Sequence, residues 1–286
     1  PNTFIVGAPR CGTSAMFTNL VEHKDVCGCK VKEPYFFNRK DKLINNISLD
    51  SYTNLFNHYD GEKICIEASP CYLYYKNTPN FIKETLGDRL KFIMILRDPA
   101  ERAYSHYLLN KSLFKNLEDK DFNESLRIEN QRIKKNDIYL FHYKAVGMYY
   151  KQVKRYFDIF GKENCSVILF QDFQSDKVKT YQNIFSFLNI DEDFIPFHIN
   201  SSINISSSRS MDNIYSKIIY SNFNFKHMLK SIIPISIKNK LKKYLIKKST
   251  HTETMHNELS LYLKDYFKED IDKLSSLIDK DLTVWN

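Results

Sequence analysis

The chain has 286 residues, 43% of them hydrophobic and 27% charged, which allows a sizeable buried core and excludes a mainly disordered segment. Lys and Arg outnumber Asp and Glu by 42 to 34, and the net charge of +8 suits an anionic ligand, nucleic acid, an acidic membrane face or nothing specific. No apolar run approaches the roughly 18 residues needed to cross a bilayer, so no membrane span is expected.

The first element, Thr3–Gly7, reads as a short buried strand. A Pro/Gly turn follows, then an amphipathic helix from Ser14 to about His23. Helical stretches near 51–57 and 78–86 bracket a second strand, Lys63–Glu67. The third and most apolar strand, Leu90–Leu96, leads through Asp98-Pro99 into a helix to about Asn110. Pro99 suits the first helical position, where its missing N–H is not needed. A helix around Gly147–Phe160, a fourth strand at Asn164–Phe170 and a helix at Lys177–Leu188 continue the alternation. Residues 199–210 are rich in Ser and Asn and read as a loop. Leu259–Trp285 has helical spacing and is expected to pack back on the core. Strands alternating with helices predict an α/β fold with a central parallel sheet flanked by helices, in a single domain over 1–286.

Cys11, Cys27, Cys29, Cys65, Cys71 and Cys165 include no C-x-x-C pair. Free thiols in a reducing, cytoplasmic setting are expected, and no basic and apolar leader precedes Thr3. Cys27 and Cys29 lack the further ligands of a metal site at finger spacing, so no metal is expected. The basic stretch Lys226–Lys248, interrupted by Pro234, reads as a solvated helix face, a guide for an anionic acceptor or, in a non-enzyme alternative, a surface for membranes or nucleic acid.

Two of the seven glycines, Gly7 and Gly12, fall in one short segment, Gly7-Ala-Pro-Arg-Cys-Gly-Thr-Ser14. Between a strand and a helix, such a loop turns backbone N–H groups and the positive helix end toward an anion. Its spacing approaches the nucleotide-triphosphatase loop G-x4-G-K-[ST], but Thr13 occupies the lysine position and the cation, Arg10, lies earlier. A P-loop nucleotide kinase or triphosphatase would lack its phosphate-gripping lysine here. Taken alone, the segment reads equally as a helix start with incidental hydroxyls.

Arg10-Cys-Gly-Thr-Ser14 resembles the 5′-phosphosulfate loop of the sulfotransferases that use PAPS (3′-phosphoadenosine 5′-phosphosulfate), with Arg10 where many members carry Lys. The resemblance implies a P-loop-like three-layer fold with PAPS as co-substrate. It makes Arg10 a catalytic and binding residue, with Cys11, Gly12, Thr13, Ser14 and Ala15 as further nucleotide contacts. Arg97-Asp-Pro-x-x-Arg-x-x-Ser105 resembles the family's 3′-phosphate motif. It sets Arg97 and Ser105 on the ribose phosphate, although locally Arg97 reads as well as an ion-pair partner. Arg209, in a late loop lacking the family's Lys-Gly-Arg form, is a further nucleotide candidate.

Lys30-Val-Lys-Glu-Pro-Tyr-Phe-Phe37 places a carboxylate among Pro and aromatics, where its pKa would tend to rise toward that of a general base. The segment looks like the K-E-x-x-F-F element of heparan-type and related bacterial sulfotransferases. By that resemblance Glu33 is the base, Lys32 positions the sulfuryl oxygens or the acceptor, and Phe36 faces the acceptor. Glu67-Ala-Ser-Pro-Cys-Tyr72 resembles the E-x-[ST]-P-x-Y turn beside the acceptor, implicating Glu67, Ser69 and Tyr72, and reads alternatively as a helix start at Ser69-Pro70. His58, His106 and His142 lie in no catalytic context.

The implied reaction is in-line transfer of a sulfuryl group from PAPS to a hydroxyl or amine, with no metal required. A small natural product is the expected acceptor, and a glycan or polysaccharide the alternative. No nucleic-acid partner is expected, and the oligomeric state is open.

Overall fold

The computed structural model describes residues 1–38, 48–113, 118–135, 139–200 and 255–286. Five strands, β1 (Thr3–Gly7), β2 (Val26–Gly28), β3 (Ile64–Ala68), β4 (Lys91–Leu96) and β5 (Cys165–Leu169), form one sheet in the order β2-β3-β1-β4-β5. Every neighbouring pair is parallel. Helices α1 (Thr13–Leu20), α2 (Leu49–Thr53), α3 (Thr78–Leu86), α4 (Pro99–Leu113), α5 (Phe122–Lys134), α6 (Tyr149–Phe160), α7 (Phe170–Ser175), α8 (Lys177–Leu188) and α9 (Asn257–Ile278) surround it. The predicted α/β architecture is thus present.

The central strands are buried along nearly their whole length because both sheet faces are covered. All five residues of β1 are buried, and Phe4 stacks on its β4 register partner Phe92 with ring centroids 5.7 Å apart. The α1 connection runs from β1 outward to β2, whereas α3 runs the other way, past β1 to β4. Right-handed crossovers therefore set α1 and α3 on opposite faces. Asn19 of α1 donates to the Tyr181 hydroxyl of α8 (2.8 Å), which groups α8 with α1. On the other face α9 caps α6: the Asp270 carboxylate accepts from the Tyr150 N–H (3.0 Å), where the helix end carries partial positive charge. The expected helical tail ends at Ile278. Beyond it Trp285 is buried, and its indole N–H donates to Gln171 (3.0 Å).

Two elements go beyond the sequence pattern. β2 is only three residues long, Val-Cys-Gly, too short to show alternation. α5 carries a legible start signal, because the Asp121 carboxylate accepts from the Glu124 N–H (2.8 Å) at its N-cap, but its sequence is strongly polar. Most of the predicted 199–210 loop, Arg209 and the stretch Lys226–Lys248 lie outside the described residues. No helix among the described residues is long and apolar enough to cross a membrane.

Candidate active site

The chain leaves β1 toward β2 and leaves β4 toward β5, so connections diverge between the adjacent strands β1 and β4. In open α/β sheets such a divergence opens a crevice at the carboxyl ends of the strands. The Gly7–Ser14 loop leaves β1 at that crevice, and Arg97 leaves β4 beside it. Gly7 is required by close approach: a Cβ there would sit 2.6 Å from the Leu73 Cβ. Gly12 caps α1 in a left-handed conformation (φ 84°) that L side chains avoid. The first intrahelical bond runs from Met16 N–H to the Gly12 carbonyl (3.0 Å), leaving the Thr13, Ser14 and Ala15 amides as the helix's unclaimed donors.

Arginines surround this loop. Arg10 also has left-handed backbone (φ 71°), and its Nε donates to the Ser105 hydroxyl on α4 (3.1 Å). Its side chain keeps an open face to solvent. Even so, loss of water around the guanidinium, followed by the charges of Arg97 and Arg102, lowers its pKa from the usual arginine value. Arg97 donates twice to Glu101 (3.0 and 2.8 Å) and lies over the Phe170 ring at 5.1 Å, while its carbonyl accepts from the Tyr149 hydroxyl (3.1 Å). The ion pair that local reading allowed for Arg97 is therefore present, with Arg97 still at the crevice. Arg102 is fully buried and donates to the Tyr143 carbonyl, but its Nε has no partner. Among the described residues Arg97 alone of the three pairs with a carboxylate. Arg10 and Arg102 thus form no ion pair among the described residues, and their charge at this loop suits a bound polyanion.

The second half of the site stands on β3. The Glu33 N–H donates to the Ala68 carbonyl at the end of that strand (2.9 Å), which seats the Lys32–Phe37 turn there. Lys32 and the Tyr35 hydroxyl each bond one Glu33 carboxylate oxygen, and the Lys32 and Glu33 side chains are only 11% and 10% exposed. The predicted apolar surroundings are thus joined by a cation and a phenol. Phe36 is buried, stacked on Tyr52 of α2 with centroids 4.2 Å apart.

Glu67, Ser69 and Tyr72 have no accessible surface and lie behind the Lys32–Phe37 turn. Burial pushes the Glu67 carboxyl up in pKa, opposed by the hydroxyls of Tyr52, Ser69 and Tyr72. The alternative reading of this segment is present too: Pro70–Tyr72 forms one 3-10 turn with Ser69 as its N-cap residue, although the Ser69 hydroxyl points to Glu67 instead of capping.

The remaining reactive groups are quiet. Burial raises the Cys11 thiol to about 11, so it stays protonated near neutrality. Burial, then Arg102, holds His106 well below the usual histidine range, and burial lowers His142 to about 4. His58 contacts the Cys27 sulfur (3.5 Å), away from Glu33. Sequence reading missed Tyr35, Tyr52, Arg102, Tyr149 and Phe170 as site residues. Only Arg102 and Tyr35 had a signal, their places within the Arg97–Ser105 and Lys30–Phe37 segments.

Over residues 1–275 the chain matches the family model described as Sulfotransferase domain. It is similar to the solved sulfotransferase from Alicyclobacillus acidocaldarius, with 29% identity, a TM-score of 0.76 and coverage of 100% of this chain and 98% of that one. Carbohydrate sulfotransferase 15 of Mus musculus is 26% identical over 248 residues, 66% of this chain and 44% of that protein, so the chain spans less than half the length of that relative. Mouse sulfotransferase SULT7A1, solved in complex with PAP, shares the fold at 15% identity and a TM-score of 0.52, over 97% of this chain and 87% of that one.

Proposed function

The chain belongs to the sulfotransferase domain family, and from that premise we propose that it transfers a sulfuryl group from PAPS to a hydroxyl or amine of a small natural product. One observation carries the reading. Three adjacent strand ends, β3, β1 and β4, present in order a carboxylate, an anion loop and an arginine. Strands lie about 4.8 Å apart, so the three are neighbours at the scale of one nucleotide and one acceptor group.

PAPS supplies the activated sulfuryl group when bound. The Thr13–Ala15 amides and Arg10 are placed to hold the 5′ end and to meet charge that grows on the leaving oxygen. Arg97 and Ser105 are assigned the 3′-phosphate. Arg10 links the two subsites, because its Nε already reaches Ser105. Glu33 takes the acceptor's proton, and Lys32 holds the carboxylate at the crevice. A glycan acceptor is the second reading, favoured by the match to the mouse carbohydrate enzyme over 66% of this chain.

Two measurements test this. PAP (3′,5′-ADP) at a hundredfold excess over its Kd is expected to raise the melting temperature by about 5 °C. The same concentration of 5′-AMP should raise it far less. Equal shifts would remove Arg97 and Ser105 from the 3′-phosphate role. Labelled PAPS, offered with a panel of phenols, amines, small natural-product alcohols and desulfated glycans, then identifies the acceptor class. Release of no label to any acceptor, with hydrolysis of Mg–ATP instead, would overturn the proposal.

A further inference from the structure

A single buried carboxylate lies behind the Lys32–Phe37 turn. Glu67 receives the hydroxyls of Tyr52 and Ser69, the latter at 2.7 Å, and Tyr72 is buried beside them. Two hydroxyls of this cluster accept from the turn. The Ser69 hydroxyl oxygen accepts from the Tyr35 N–H (3.3 Å), and the Tyr72 hydroxyl oxygen accepts from the Phe37 N–H (3.1 Å). A hydroxyl that gives its proton to a carboxylate keeps its lone pairs for a donor on the other side. Glu67 thereby orients the Ser69 acceptor, the Tyr72 hydroxyl supplies a second one at the alternate backbone amide, and chained bonds strengthen one another in a dry interior.

The turn needs that support. Glu33 and Tyr35 both have left-handed backbone, with φ of 62° and 54°. Non-glycine residues adopt this region at a cost, and hold it only where the surroundings over-determine it. Here the amide of Glu33 is held by Ala68, that of Tyr35 by Ser69 and that of Phe37 by Tyr72, while the Tyr35 hydroxyl closes back on the Glu33 carboxylate.

We infer that Glu67, acting through the Ser69 hydroxyl and alongside that of Tyr72, is a positioning residue that holds the Lys32–Phe37 turn in the one conformation that presents Glu33 to the acceptor. This rests on the reading of Glu33 as base. It also reassigns Glu67, Ser69 and Tyr72 from acceptor contacts to a platform beneath the base. Tyr52 joins them from α2, a distant element that the turn's own sequence does not announce.

The test uses Ser69→Ala and Tyr72→Phe, which remove one hydroxyl each with little change of shape, beside Glu67→Gln and a Glu33→Gln reference. Hydrogen exchange of the peptide covering 33–38, measured with PAP bound, is expected to rise about tenfold in Ser69→Ala and Tyr72→Phe. Transfer from labelled PAPS to the acceptor that the wild-type protein uses fastest should fall about 10- to 100-fold in kcat, with PAP affinity unchanged. Unchanged exchange in both hydroxyl variants overturns the platform, as does full transfer in both while Glu33→Gln is inactive. Full transfer in Glu33→Gln instead overturns the base assignment, and the exchange measurement still decides whether the platform holds the turn. If Glu67→Gln fails to fold, the two hydroxyl variants decide between these outcomes on their own.

Discussion

Replacing Glu33 by Gln is expected to lower sulfuryl transfer by about 10²- to 10⁴-fold and to leave PAP affinity unchanged, the range associated with loss of a general base. The substitution is close to isosteric. The Tyr35 hydroxyl can still donate to the amide oxygen, and the Glu33 N–H bond to Ala68 does not involve the side chain. The turn should therefore survive, and what is lost is the capacity to take a proton, together with the Lys32 ion pair. Lys32 does not block that capacity, because each carboxylate oxygen has further lone-pair sites beyond the one Lys32 occupies. PAP affinity is insulated by topology: Glu33 sits on the end of β3, whereas the anion loop leaves β1 and Arg97 leaves β4. Calorimetry with PAP and single-turnover transfer separate the two quantities. Near-normal turnover would move the base to another residue, and His106 and His142 offer no ready substitute, because both are buried and burial makes them weaker proton acceptors.

Arg10→Ala is expected to impair both binding and rate, with transfer reduced about 10²- to 10³-fold, as when one preorganised donor to a developing anion is removed. Arg10 is the side chain that spans the two anchors, rooted in the β1 loop and bonded to Ser105 on α4. Its loss removes charge from the loop and leaves the Ser105 hydroxyl without its donor. Arg10→Lys should recover part of the affinity, since the charge returns, but less of the rate, since a point charge does not reproduce the guanidinium fork. Measuring PAP affinity and kcat on all three proteins distinguishes these effects. An Arg10→Ala protein with unaltered affinity and rate would mean that the loop does not hold the phosphosulfate end. The triphosphatase reading is weak on the same ground, for Thr13 is a buried residue at the position where that loop needs a lysine.

Buried Arg102 adds a background to both variants. Among the described residues it forms no ion pair with a carboxylate, and its charge acts on Arg10, Cys11, His106 and Glu129. An anion at the loop mouth would offset that charge in a medium where screening by water is weak.

The strand–loop–helix order, the anion loop, the Arg97–Ser105 segment and the Lys32–Glu33 pair could all be read from the linear chain. Each is encoded within about a dozen neighbouring residues, in hydrophobic period, glycine placement and charge type. Folding supplied what spacing cannot express. A three-residue edge strand is defined by its partner Ile64–Ile66 and not by its own pattern. Arg10 meets Ser105 across 95 positions, and Tyr52 meets Glu67 only because α2 packs against β3. Packing also buries Glu67, Ser69 and Tyr72 and links them to one another or to the turn by hydrogen bonds that their spacing does not announce. Hydrogen-bond partners and desolvation depend on which distant side chains fill the remaining space, and that is a property of the packed chain, absent from any single segment of it.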